Sequence, residues 1–495
     1  MPRVSVNVGN GFYQSNSLPL SNQRCVNLYP NLPQSQAISQ DSLFGTPGIR
    51  YITDTGIPSV HTNRGAWVKD GVPYFVNGTR LFRLDRTVTF GEEVLNETFL
   101  GVIEGSNRCH FADNGKQLMI LVPGTPSKGY IVDETQFPVV QEITDSDFYA
   151  HGNPQAVVFI DSFFVATTDE KRIIQSASGD GTSWNALDFG AAVVDPDDII
   201  APFVFRNQIF VGGKETFEVF ENIGVAGFTF RRINGLVYDV GLASQYAITS
   251  DNNAFYWLGA EKSSDVGIWA SSGSGAQKIS TVAIDAIIAR LNPDELPNAF
   301  AWSYGQDGNY FIGFTFQSLT IVYDSVTGRW HERESRFTNE LGVDVVTRCR
   351  YNSVVQAYGR IFVGDSVSGR IGQLDREYYK EYTEPFTATF SLAPFYNQGT
   401  SFSITQAELF MESGVGNDDK PDPEVRLRMS KDGKVYNFSL SRKVGKEGEY
   451  SKRQIWRQLG RFSRMAVAEI SMSDPVKRAF YTFEANVKGG RQIGN

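Results

Sequence analysis

Hydrophobic residues along most of this chain come in short runs separated by Asn, Asp and Gly, the rhythm of β-strands and tight turns rather than of helices. Residues 156–160 and 163–167 flank one such turn, 202–205 and 209–211 the next, and 254–258 and 310–316 follow. Several runs are apolar at consecutive positions, as expected of strands covered on both faces. The turns recur at Asn77-Gly78, Asp113-Asn114-Gly115, Asp161-Ser162, Arg206-Asn207, Asp251-Asn252-Asn253, Asp307-Gly308-Asn309 and Tyr358-Gly359, in steps of 36, 48, 45, 45, 56 and 51 residues. These steps bracket the length of one four-stranded propeller blade. The pattern predicts an all-β protein with a β-propeller of about six blades over residues 51–380. The first and last strand groups would close one blade together. Seven blades is the other count, and a pair of β-sandwiches the alternative architecture.

One segment breaks the strand rhythm. In residues 280–291, Ile284, Ile287, Ile288 and Leu291 fall at i, i+3, i+4 and i+7, with Ser280 or Thr281 as a capping hydroxyl and Pro293 beyond. That spacing predicts an amphipathic helix packed on the propeller rim.

The character changes after about residue 380. A charged, proline-broken turn, Asn417-Asp418-Asp419-Lys420-Pro421-Asp422-Pro423, precedes alternating apolar and basic positions over 424–429, with further strands predicted at 435–440, 454–459, 466–472 and 480–487. Residues 381–495 therefore read as a C-terminal antiparallel β domain, sandwich-like, separate from the propeller or interleaved with it. Lys, Arg and aromatic residues alternate there, which fits an exposed sheet face, a nucleic-acid surface or a protein-docking face. At the other end, residues 1–50 place four prolines between Pro19 and Pro47 and few apolar residues in the middle. This is the pattern of an extended N-terminal strap lying across another surface.

Composition sharpens the class. With 495 residues, 41% of them hydrophobic, the chain can bury a large core, and 36 Phe and 21 Tyr beside 47 Gly favour strands and turns. The net charge of −9 argues against tight nucleic-acid binding through a basic face, so neighbouring DNA is expected to slide past. Cys25, Cys109 and Cys349 are odd in number and widely spaced, suggesting neither a disulfide framework nor a metal or redox pair. No secretion signal and no membrane span are expected, because no apolar stretch approaches roughly 18 residues.

The sequence assigns no catalytic residue, no cofactor and no metal ligand set. His61, His110, His151 and His331 lack HxH or HxxxH spacing, and His331-Glu332-Arg333-Glu334 reads as the polar end of a strand. Phosphate-loop, dinucleotide and nucleophile-elbow motifs do not occur. Asp195, Asp197 and Asp198 cluster locally but without the glycine and glutamate of a calcium loop, so a solvated turn is expected. Two segments, 178–184 and 430–436, have the form Ser-x-Asp-Gly-x-x-aromatic. They are similar to the Asp-box hairpin of sialidase propellers, in which Asp accepts turn N–H groups, Gly supplies a positive φ and the ring packs beneath. This keeps a carbohydrate-binding or carbohydrate-active propeller as the alternative function.

A set of ordered matches points elsewhere. The opening Cys25-Val26-Asn27-Leu28-Tyr29-Pro30 and Leu43-Phe44-Gly45-Thr46-Pro47-Gly48-Ile49, then Phe111-Ala112-Asp113-Asn114-Gly115 with Gln117-Leu118, resemble the tail accessory proteins of short-tailed bacteriophages, also called packaged-DNA stabilisation or nozzle proteins. So do residues 180–189, Phe255-Tyr256-Trp257-Leu258-Gly259, Tyr323-Asp324 and Gly328-Arg329-Trp330-His331-Glu332-Arg333. The matches span roughly residues 20–375 in order; the C-terminal third matches less distinctly. The resemblance implies a non-enzymatic virion protein of the tail, made in the host bacterial cytoplasm. It would form a ring, a homohexamer, below the portal and adaptor, extend the DNA channel, help retain packaged genomic dsDNA without sequence-specific binding, and dock the tail needle, tailspike or tail fibres. Six copies at −9 would carry −54, so acidic channel walls would repel phosphates, with salt screening beyond roughly 8–10 Å.

Overall fold

The structure is a computed structural model that describes residues 3–57, 62–191, 198–273, 275–338 and 341–489. Among these, seven four-stranded antiparallel blades follow one another and close into a propeller, five as separate sheets and two as parts of larger ones. Six blades are continuous in sequence, over residues 63–102, 110–142, 154–191, 199–238, 248–278 and 300–332. The seventh takes three strands from residues 351–375 and its outermost strand, Gly48–Asp54, from the N-terminal region, in register from Arg370↔Asp54 to Asp375↔Gly48. The count is therefore seven and not six. The first and last strand groups do share a blade, but the expected boundary at residue 50 falls inside its closing strand.

Turn chemistry explains why the blades repeat so regularly. The hairpin joining the innermost strand to the second has two consecutive positive-φ residues at Asp70-Gly71, Asp161-Ser162, Arg206-Asn207, Asp307-Gly308 and Tyr358-Gly359. That backbone twist matches the right-handed twist of the flanking strands. Asn77-Gly78 instead joins the second and third strands of blade 1. The innermost strands are short and apolar, and each interface between neighbouring blades has its own buried cluster. Met119 and Leu121 meet Val157 and Phe164 between blades 2 and 3, and Phe75 and Leu84 meet Phe362 and Ile371 between blades 1 and 7. At roughly 1.5–3 kcal/mol for each buried large side chain, these seven seams are the main cohesive force of the propeller.

The helix is observed at Val282–Ile288, capped by Thr281, whose side chain accepts from the Ile284 N–H. Ile284 and Ile288 are buried in the seam between blades 5 and 6, and Phe12 of the strap enters the same cluster.

The C-terminal domain is a β-sandwich wrapped around one core, in which Trp456, Val425, Leu427 and Ile470 are fully buried. One sheet runs Gln454–Phe462, Phe402–Met411, Ala479–Gly489, Ser42–Gly45 and Leu28–Asn31, with Arg3–Val6 also pairing Ala479–Gly489. The other is continuous with blade 6. The blade's outer strand Arg329–Glu332 pairs in parallel with Cys25–Val26, which pairs in turn with Ala388–Ser391 and the sandwich strands beyond it. The strap is thus woven into both parts as short strands. Its residues 13–20 and 32–40 are largely exposed. One predicted strand, 435–440, is corrected: residues 435–439 form a loop with Val435 and Phe438 exposed, and the strand is Leu440–Lys443. Asp432 accepts the Lys434 and Val435 N–H groups at 2.8 and 2.9 Å, withholding them from a ladder.

Candidate functional site

The seven innermost strands surround an axial cavity of about 640 Å³ whose walls include Trp67, Phe111, Phe159, Phe203, Ser303 and Gln356. Arg108 of blade 2 reaches across the axis. Its guanidinium lies 3.7 Å from the ring centroid of Phe300 in blade 6 and donates to the Asn352 carbonyl of blade 7. Tyr246 of blade 5 donates its hydroxyl to the Arg108 carbonyl at 2.9 Å and stacks on His110. Burial pulls Arg108 down to about 10 and His110, next to that cation, down to about 4, so the imidazole is neutral. Trp67 lies parallel to Phe111 and donates its indole N–H to Asp113 at 2.6 Å. Arg108 and Asp113 are the charged lining residues, and both are already engaged. The cavity is thus a neutral, aromatic cup that offers a phosphate no free cation.

The residues singled out by sequence do not converge. His61, Asp195 and Asp197 lie outside the described residues. Asp198 bridges Lys171 and Lys214 at 2.8 and 2.6 Å, and hydrogen bonds from the two ammonium groups lower its pKa to about 2. The His151 Nε2 sits 2.7 Å from the Ala186 carbonyl, beside Phe189. Among the described residues no group of three or more His, Cys, Asp or Glu is placed to hold a metal ion, and no helix is long and apolar enough to cross a membrane. All three cysteines are buried and unpaired.

Both Asp-box segments are turns that brace packing. Asp180 accepts from the Thr182 N–H and hydroxyl, at 3.0 and 2.7 Å, and from Gln117. Trp184 packs against Phe148 and donates to the Gly181 carbonyl. The positive φ belongs to Gly179; at Gly181 a Cβ would lie 2.7 Å from the Ile131 terminal methyl and 3.1 Å from the Phe164 ring. The second box lies in the sandwich, where the Gly433 carbonyl receives Asn22 of the strap at 2.8 Å. These carboxylates hold turns in place.

The most heavily connected polar cluster is the junction of strap, propeller and sandwich. Arg24 forms two parallel hydrogen bonds with Glu332, both 3.0 Å, and reaches Glu334 at 2.5 Å. Asn27, at φ +54, donates to the carbonyls of Glu334 and Thr387 and accepts from the Glu334 N–H. Arg333 donates to the hydroxyls of Tyr304 and Tyr351 at 2.6 and 2.7 Å, surrounded by Trp302, Tyr304 and Phe311. The segment from His331 to Glu334 is the polar end of the strand Arg329–Glu332, but a buried one: His331 is 0% and Arg333 3% exposed. Glu381 accepts from Ser335 at 2.8 Å, and burial raises its carboxyl to about 7. Sequence reasoning missed this cluster because its members lie some 300 residues apart; the only local signal was the run of charges 331–334 beside Trp330.

Comparison with known proteins follows the same division of the chain. Residues 4–379 match the family model described as bacteriophage P22 Gp10, β-propeller, and residues 389–488 the model described as bacteriophage P22 Gp10, β-sandwich. No curated protein matched. Similar solved structures include the WD40 β-propeller domain of Doa1, at 11% identity over 67% of this chain and 98% of that one, with a TM-score of 0.40. BamB from Moraxella catarrhalis is 11% identical over 66% of this chain and 97% of that one, TM-score 0.35. An exo-β-1,3-galactanase from Phanerochaete chrysosporium is 8% identical over 77% and 97%, TM-score 0.28. Since the two family models together cover nearly the whole chain, it belongs to the bacteriophage P22 Gp10 family, structural proteins of the phage tail that stabilise packaged DNA.

Proposed function

We propose that this chain is the nozzle of a short-tailed phage. Six copies form a ring below the portal and adaptor, extend the DNA channel and provide docking sites for the tail needle, tailspike or fibres. The observation that carries the reading is the junction of strap, propeller and sandwich. Strands from residues 3–54 close blade 7 and complete both sandwich sheets, so the chain behaves as one body able to bear load between a portal and a tail tip. In such a ring the contacts are heterologous, one flank of the propeller against a different flank of the next copy. The axial cup of each propeller is neutral and crossed by Arg108, so DNA passes through the hole of the ring and not through the propeller axis. Residues 1–380 hold 29 Lys and Arg against 41 Asp and Glu, which gives the propeller side of the ring an acidic surface along which phosphates slide. Electron microscopy of DNA-filled heads that lack this protein, before and after its addition, tests the proposal. A new six-fold ring under the adaptor is expected; unchanged particles with the chain left in solution would refute it.

A further inference from the structure

The charge of the chain is unevenly placed. Residues 381–495 hold 17 Lys and Arg against 14 Asp and Glu, and within them residues 424–464 hold 12 against 4. Part of this excess is neutralised locally: Arg453 is paired with Glu408, Arg428 with Glu469 and Lys443 with Glu424. Of the rest, Arg457, Arg461 and Arg464 gather with Lys488 at one end of the first sandwich sheet. In its register Arg457 faces Gln406, and Ser403 faces Arg461 on one side and Lys488 on the other. Arg461 and Lys488 thus stand two strands apart, about 10 Å. Arg464 lies in the short connection that leaves the same edge strand. All four are exposed, and among the described residues none has a carboxylate within ion-pair distance; the one hydrogen bond in the set runs from Arg461 to the Ser401 hydroxyl at 3.0 Å. A bulge shapes this edge. Gln458 and Gly460 have φ of +58 and +112, and the register slips opposite residues 404–406, which turns Arg457 and Arg461 outward while Trp456, Leu459 and Phe462 stay in the core.

We propose that this edge, Arg457, Arg461, Arg464 and Lys488, is a contact for the phosphate backbone of duplex DNA. Three uncompensated cations on a twisted sheet face and a fourth in the adjoining connection, with Ser403, Gln406 and Asn486 between the strands' cations, match a polyanion read without sequence preference. The same residues lack the buried apolar anchor that a protein partner requires. The inference deepens the nozzle reading and rests on it for bringing DNA near the sandwich. An acidic propeller lets DNA move, whereas retention needs some attraction, and this is where the chain carries it.

The test is fluorescence anisotropy of a random-sequence duplex with the full chain across a salt series. The wild type is expected to bind with a log–log salt slope near −3.6, about 0.9 for each cation, so affinity falls about 10²-fold between 50 and 200 mM. The triple variant R457Q/R461Q/R464Q is expected to lose most of that slope, R457K/R461K/R464K to keep it, and R206Q/R231Q on the propeller to behave as wild type. An unchanged melting temperature shows that the fold survives. Absence of wild-type binding at 50 mM, or equal binding by the triple Gln variant, overturns the proposal. Loss of attachment to heads with DNA binding intact also overturns it, by making the edge a protein-docking face. Wild-type DNA binding with the expected slope but no attachment to heads upholds the contact and sinks the nozzle reading instead.

Discussion

The side-chain amide of Asn27 donates a 2.9 Å hydrogen bond to the carbonyl of Thr387, 360 residues further along, while also contacting Glu334 at the exit of blade 6. One buried strap residue thus joins propeller and sandwich. Asn suits the site twice over, since it tolerates the positive φ and reaches two carbonyls at once. Replacing it with Ala leaves those carbonyls and the Glu334 N–H unsatisfied. Asn27→Ala is expected to lower stability by roughly 2–4 kcal/mol. Differential scanning calorimetry checks it: the sandwich and propeller transitions should separate in the variant.

Closure of blade 7 depends on the N-terminal region. Ile49, 1% exposed, packs in the seam between blades 6 and 7. Ile49→Ala should cost about 2–4 kcal/mol. A chain beginning after residue 54 would leave the strand Arg370–Asp375 as an open edge, and it should be recovered as aggregate rather than as a soluble monomer, by gel filtration.

Arg333 is a buried cation held by two tyrosine hydroxyls and aromatic faces instead of a carboxylate. A lysine cannot span both hydroxyls from one planar group. Arg333→Lys should therefore destabilise by roughly 2 kcal/mol, read as a lower denaturation midpoint at unchanged net charge.

Glu381 supplies a pH dependence of definite sign. Burial raises its folded pKa from 4.5 to about 7, with Ser335 and Arg350 opposing the shift and Asp365 adding to it. Between those values the unfolded chain ionises while the folded chain keeps its proton, so this group makes stability fall as pH rises, by roughly 3 kcal/mol in total. Glu381→Gln should flatten the melting-temperature profile between pH 4.5 and 7 and raise the melting temperature at pH 8. An unchanged profile would show that the carboxyl is not the group responsible.

Much of this fold was legible because propeller hairpins are local. Six of the seven turns read from sequence mark the innermost hairpin of a blade, and the helix at Val282–Ile288 declared itself by period and cap. The blade count came out one short because it followed the intervals between turns, and because the last blade borrows Gly48–Asp54 from far away. The strand Phe402–Met411, central to the sandwich, was missed although its inward residues Phe402, Ile404, Ala407 and Leu409 are spaced to reveal it once the register break at 404–406 is known. The predicted strand at 435–440 failed for a local reason, the Asp432 turn. The Arg24–Glu332 pair and the Asn27–Thr387 contact were not legible at all, since only the closed propeller brings residue 27 beside residues 332 and 387.

The most direct test of the account as a whole is to mix purified chain with DNA-filled heads that carry portal and adaptor but lack this protein, then measure cosedimentation and retained DNA together. The nozzle reading predicts six copies bound per head and DNA held through a wash that empties untreated heads. Heads that sediment without the chain, and lose their DNA as fast as untreated ones, would contradict it.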